Sequence, residues 1–135
     1  MKILCVHNYY NSANTSGENA VFDAETKLLE SHGHDVVRLV RHSDEILAKG
    51  AIGLVRGALS TPWNPWSAAA VRRMTDRFCP DVVHVHNTFP LISPSIFKNI
   101  NHRSTRVLTL HNYRLFCPAA VRSEERRVGK ECRSR

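Results

Sequence analysis

At 135 residues and 15.3 kDa the chain has room for one domain with one core, in which about two-thirds of the unfolded surface can be buried. Its 42% hydrophobic content is split into short runs far below the roughly 18 apolar residues of a membrane span, and Val6 leads straight into polar residues with no signal-peptide pattern, so a cytoplasmic location is expected. The net charge of +7 suggests nucleic acid, but residues 122 to 135 hold six of the 19 basic and three of the 12 acidic residues; the body keeps 13 against 9, and no nucleic-acid partner is expected.

Lys2 to His7 is a continuous aliphatic run of the kind buried on both faces of a parallel sheet. A polar loop, Asn8 to Gly17, leads into a helix expected over about Glu18 to His32. Val21, Ala24 and Leu28 would form its inner face, with Asp23 and Lys27 paired at i,i+4 on the outer one. Gly33 suits the left-handed position that closes a helix. Asp35 to Val40 reads as the second strand. Strand, helix, tight turn and strand in so short a span make a right-handed βαβ unit with parallel pairing.

Ser43-Asp44-Glu45 opens a second helix with the apolar stripe Leu47, Ala51, Leu54, Val55 and Ala58, weakened by Gly50, Gly53 and Gly57 at about 1 kcal/mol each relative to alanine. Thr61 to Trp66 is a proline-stiffened loop. Residues 67 to 78 read as a helix with Ala70, Val71, Met74 and Phe78 inward, stopped by Pro80. Asp81 to His86 is the third strand, Ser93-Pro94 starts a short helix, and Arg106 to Leu110 is the fourth strand. The four cysteines, Cys5, Cys79, Cys117 and Cys132, form no C-x-x-C pair and read as reduced thiols. The fold class is α/β, a Rossmann-like doubly wound parallel sheet whose switch point falls between the first and third strands.

Three of the apolar runs end at the same dipeptide: His7-Asn8, His86-Asn87 and His111-Asn112. In an open parallel sheet the carboxyl ends of the strands border the ligand crevice, so these pairs are expected at one rim. His111 is the strongest catalytic candidate, because a neutral imidazole there can exchange hydrogen bonds with a sugar hydroxyl or phosphate. His84 and His86 share strand parity and hence a face, one expected in the core and one at the rim. Gly17, after Ser16 and before a helix, would let an anion approach the backbone; a single glycine is not the G-x-G-x-x-G of a dinucleotide site, which argues against a nicotinamide enzyme. Strand-end histidines could ligate zinc, but with no carboxylate or second histidine at a helix-type spacing, no metal is expected. Trp63 and Trp66, following a helix that carries Lys49 and Arg56, suit either a peripheral membrane contact or a lid over the core.

Four segments carry a family resemblance: Lys-Ile-Leu-Cys-Val-His-Asn-Tyr-Tyr at the amino terminus, Ser-Gly-Glu-Asn at 16 to 19, Pro-Asp-Val-Val-His-Val-His-Asn at 80 to 87, and Leu-Thr-Leu-His-Asn-Tyr-Arg at 108 to 114. With them, Met1 to about Val121 resembles the amino-terminal, acceptor-side domain of family 4 retaining glycosyltransferases of the two-domain GT-B fold. The resemblance implies His111 as the catalytic histidine of the cleft. It implies Ser16, Gly17, Glu18, His86, Asn87, Asn112, Tyr113 and Arg114 as substrate-binding residues, with Ser16 where many members have glycine and Asn112 where many have aspartate. It further implies a nucleotide-sugar donor, a saccharide or lipid-linked acceptor, a place in polysaccharide biosynthesis, no cofactor or metal, and a carboxyl-terminal domain holding most donor contacts. Residues 1 to 121 alone are then expected to be inactive. The alternative is a stand-alone flavodoxin-like module that binds a small ligand or phosphate.

Arg122 to Arg135 has one aliphatic residue and no hydrophobic period, so it is expected to be a disordered basic tail. Its string also resembles a sequencing adapter translated in frame. That reading makes the tail artefactual and has the natural protein continue differently beyond Val121.

Overall fold

The computed structural model describes residues 1–9, 16–43, 63–88 and 91–111. The expected helix from Ser43 and the expected tail lie outside these residues, as do Asn112, Tyr113 and Arg114. The described elements are strand β1 (Lys2–Tyr9), helix α1 (Gly17–Ser31), strand β2 (Asp35–His42), helix α2 (Pro65–Phe78), strand β3 (Val82–Val85), a 3-10 turn (Pro94–Lys98) and strand β4 (Thr105–Leu108). All sheet pairings are parallel, in the order β2-β1-β3-β4. The chain therefore steps from β1 to one side and then crosses to the other, which places the switch point between β1 and β3 as the sequence predicts.

Strand β1 is central and buried on both faces. Leu4 and Val6 pack with Val83, Val85, Val71 of α2, Ile92, Ile96 and Ile100. Ile3 and Cys5 turn the other way, onto Phe22 of α1. Alternation along one strand thus sorts the sheet into an α2 face and an α1 face. Among the described residues, no helix is long and apolar enough to cross a membrane.

Helix α1 corrects the expected stripe. Its buried residues are Asn19, Phe22 and Thr26, whereas Val21 (47%) and Leu28 (57%) are exposed. Asn19, Phe22, Thr26 and half-buried Leu29 also satisfy helical spacing, and the polar members of that set are tolerable because they are bonded. Asn19 Oδ1 is 2.9 Å from His7 Nε2, and Thr26 Oγ1 donates to the Asp23 carbonyl at 3.1 Å. Asp23, expected to pair with Lys27 on the outer face, instead accepts from the Tyr9 hydroxyl at 2.6 Å. Burial and this hydrogen bond push the Tyr9 phenol up to about 12. Gly33 has φ 76° and supplies the expected left-handed turn.

Helix α2 begins two residues earlier than its apolar pattern predicts. The Asn64 side chain caps it by accepting from Ser67 N at 3.0 Å, and Pro65 fills the first turn, where no backbone donor is required. Of the expected inward residues, Val71 is buried and Ala70, Met74 and Phe78 are half-buried. Cys79, in left-handed geometry at φ 48°, ends the helix. Strands β3 and β4 are each shorter than the sequence suggests. The side chains of β4 are exposed, with Val107, Leu108 and the following Leu110 at 38%, 45% and 53%.

Candidate functional site

The carboxyl ends of β1, β3 and β4 meet the amino terminus of α1. Asn8 N donates to the Asn87 carbonyl at 3.1 Å, and Asn87 Nδ2 returns a bond to the Asn8 carbonyl at 3.3 Å, which extends the β1–β3 contact past the last paired strand residues. Asn87 Nδ2 also reaches Glu18 Oε2 in the first turn of α1, at 3.2 Å. Ser16 caps that helix, its hydroxyl accepting from Asn19 N at 3.3 Å. Among the described residues, a Cβ added at Gly17 would meet nothing within 4 Å, so none of them blocks the helix entrance. With Glu18 half-buried behind it, the entrance joins the positive end of the helix to one carboxylate.

The α1 face of the sheet carries a row of histidines. His7 is fully buried, stacked on Phe22 at 4.7 Å between ring centroids and 17° between planes. With its Nε2 hydrogen donated to Asn19 Oδ1, His7 Nδ1 is a bare acceptor, and it has no hydrogen-bond partner. His86 follows, 6.3 Å from His7 and 4.2 Å from His84 between centroids. His111 closes the row, half-buried, with Nε2 at 3.2 Å from His86 Nδ1 and the two rings stacked 5.3 Å apart. Burial, then the neighbouring rings of His84, His111 and His7, hold His86 down at about 3. Burial also lowers His7, against the pull of Asn19. Both rings are neutral at physiological pH, when they can give or take a hydrogen bond.

Five predicted site residues therefore fall at one rim, Ser16, Gly17, Glu18, Asn87 and His111, and a sixth, His86, lies beneath His111. Their exposures divide them. His86 is 3% exposed and Asn87 9%, and each bonds to a less buried neighbour: His86 to His111, and Asn87 to Glu18. Of the pair expected to split between core and rim, His86 is the core member and His84 the more accessible one.

Glu25, Asn19 and Thr109 join the histidine row without being singled out by the sequence reading. Glu25 Oε1 lies 2.7 Å from His84 Nδ1, and Thr109 Oγ1 2.8 Å from His84 Nε2. The available signal was spacing: Glu25 stands two helical turns after Glu18, on the same side of α1 as Phe22.

The sequence model of Glycosyltransferase Family 4 matches residues 16–134. The chain matches no curated protein and no solved structure.

Proposed function

Because the chain belongs to Glycosyltransferase Family 4, we propose that it forms the acceptor-side half of a two-domain enzyme that moves a sugar from a nucleotide-sugar donor to a saccharide or lipid-linked acceptor. The observation that carries this reading is the meeting of three strand ends with the start of α1 at the switch point. A crevice there is where open parallel sheets take ligands.

In this reading His111 is the group that touches the reacting sugar. His86 fixes its ring by a hydrogen bond from beneath, and the core of Phe22, His7 and His84 fixes His86 in turn. The amino terminus of α1, entered through Ser16 and Gly17, faces negative charge developing on the donor phosphate, while Glu18, held in place by Asn87, takes a hydroxyl of the acceptor. The family resemblance adds Asn112, Tyr113 and Arg114 to the residues proposed to bind substrate. Transfer with retention needs no metal at the reacting atoms here, because positioning and charge stabilisation supply the catalysis. The donor domain provides the opposite wall, so residues 1 to 121 alone do not turn over. Exposed Trp63 and Trp66, at 52% and 61%, suit a cytoplasmic enzyme that touches the membrane carrying a lipid-linked acceptor, within polysaccharide biosynthesis.

The test joins this domain to a family donor domain and measures nucleotide-sugar-dependent transfer. His111→Ala is expected to lower kcat about a hundredfold or more, in the range of a lost positioned proton-transfer group. Unchanged turnover in that variant removes His111 from the reaction, and the absence of transfer by any pairing overturns the assignment.

A further inference from the structure

We propose that Glu25 of α1 and His84 and His86 of β3 and its end form a binding site for a divalent transition-metal cation of the zinc class. One ligand atom from each residue lies within 4.8 Å of the others. Glu25 Oε1 stands 2.7 Å from His84 Nδ1, and Glu25 Oε2 stands 3.6 Å from His86 Nε2. Zinc takes imidazole nitrogen and carboxylate oxygen at about 2.0 to 2.2 Å, which sets neighbouring ligand atoms roughly 3.2 to 3.5 Å apart. The Glu25 carboxylate faces both rings, one oxygen to each, and a cation between them draws the three ligand atoms, which lie within 4.8 Å of one another, in to that spacing.

The independent observation is His86 Nε2. It is buried, in a side chain of 0% exposure, and has no hydrogen-bond partner. The carboxylate oxygen it faces is beyond hydrogen-bond range. A buried polar nitrogen left in this way is costly unless something occupies the gap, and a cation shared with Glu25 and His84 does so. The far nitrogens are anchored as ligating histidines require: His84 Nε2 on Thr109 Oγ1 at 2.8 Å, and His86 Nδ1 on His111 Nε2 at 3.2 Å. Those anchors turn His84 Nδ1 and His86 Nε2 toward Glu25. Partial exposure of Glu25 (31%) and His84 (13%) leaves an entry path and a fourth position for water. Two imidazoles with one carboxylate favour zinc-like cations over magnesium or calcium, which prefer all-oxygen shells. Such a cation would tie α1 to β3 beneath the rim, and its test reads metal binding rather than sugar transfer, so its failure is distinguishable from that of the proposed activity.

The experiment uses the full chain stripped with a chelator and titrated with Co2+ as a spectroscopic probe, followed by displacement with Zn2+. The expected result is one Co2+ per chain, visible d–d bands of a tetrahedral N/O site without the near-ultraviolet bands of thiolate ligation, and loss of those bands on adding Zn2+. Glu25→Gln and His84→Gln should each weaken binding more than tenfold, and Thr109→Val about tenfold or more. His102→Gln, an exposed histidine elsewhere, should leave it unchanged. Absence of the d–d bands in the unaltered chain overturns the proposal whatever the variants do. Bands that survive both Glu25→Gln and His84→Gln, or that vanish when cysteines are alkylated, overturn it as well.

Discussion

His86 Nδ1 and His111 Nε2 lie 3.2 Å apart, so one hydrogen is held between two imidazole rings, one buried and one at the rim. The carboxylate of Glu25 on the far side of His86 draws that ring's own proton to Nε2, which makes Nδ1 the acceptor and His111 Nε2 the donor. His111 then presents a bare Nδ1. In the 15N-labelled, metal-free chain above neutral pH, both rings should appear as the Nε2–H tautomer. Added Zn2+ should invert His86 to Nδ1–H. A tautomer mixture at His86 in the metal-free chain would contradict the arrangement.

Acid should weaken this fold from about pH 6.5 downward. His86 is held at about 3 and His7 is also lowered, burial being the main cause in each, while in the unfolded chain both titrate near 6.5. Glu25, His84, His111 and His7 face His86; Asn19, Glu18, Asp23 and His111 act on His7. Below 6.5 the unfolded state binds protons that the folded state refuses, so stability is complete above that pH and falls toward 3, with a slope of up to about 1.4 kcal/mol per pH unit for each ring. Urea midpoints across this window, taken in chelator, check the effect. A flat profile would mean that both rings take up protons while folded.

Two apolar residues of α1 should behave oppositely. Phe22 is fully buried against Ile3, Cys5 and the His7 ring, and Phe22→Ala should cost about 3 to 5 kcal/mol. Leu28 is 57% exposed, and Leu28→Gln should fall within about 0.5 kcal/mol of the unaltered chain. Chemical unfolding compares the two directly; equal costs would restore the stripe read from the sequence.

Cys5 should resist alkylation while Cys79 reacts. Burial, with the nearby Glu25 charge, pushes the Cys5 thiol up to about 11, and its sulfur is sealed in the core, whereas Cys79 is exposed. Peptide mapping after brief iodoacetamide treatment of the native chain reads the ratio. Labelling of Cys5 at the rate found in denaturant would show that the α1 face opens readily.

The sheet was legible because its strands are aliphatic runs bounded by turn residues, and the order of elements leaves few right-handed parallel solutions. The inner face of α1 was not legible, because Asn19, Thr26 and Glu25 are polar and their burial depends on partners in other elements: His7, the Asp23 carbonyl and His84. Hydrophobic spacing alone chose Val21 and Leu28. The same limit applied to the histidine row. Strand parity put His84 and His86 on one face, but that Glu25 would lie over them follows from the docking of a helix some sixty residues away in sequence, which no local pattern encodes.

The central place of β1 also fixes an order of events in folding. Lys2 to Tyr9 pairs on one side with residues 35 to 42, and on the other with residues 82 to 85. A chain emerging from the ribosome can close the first ladder and seat α1 early, but the second edge of its most apolar strand waits until twice as much polypeptide has been made. During that interval Leu4 and Val6 have neither Val83 nor Val85 to pack against. The nascent protein's exposure to aggregation and its demand for chaperones should therefore peak between the synthesis of β2 and that of β3.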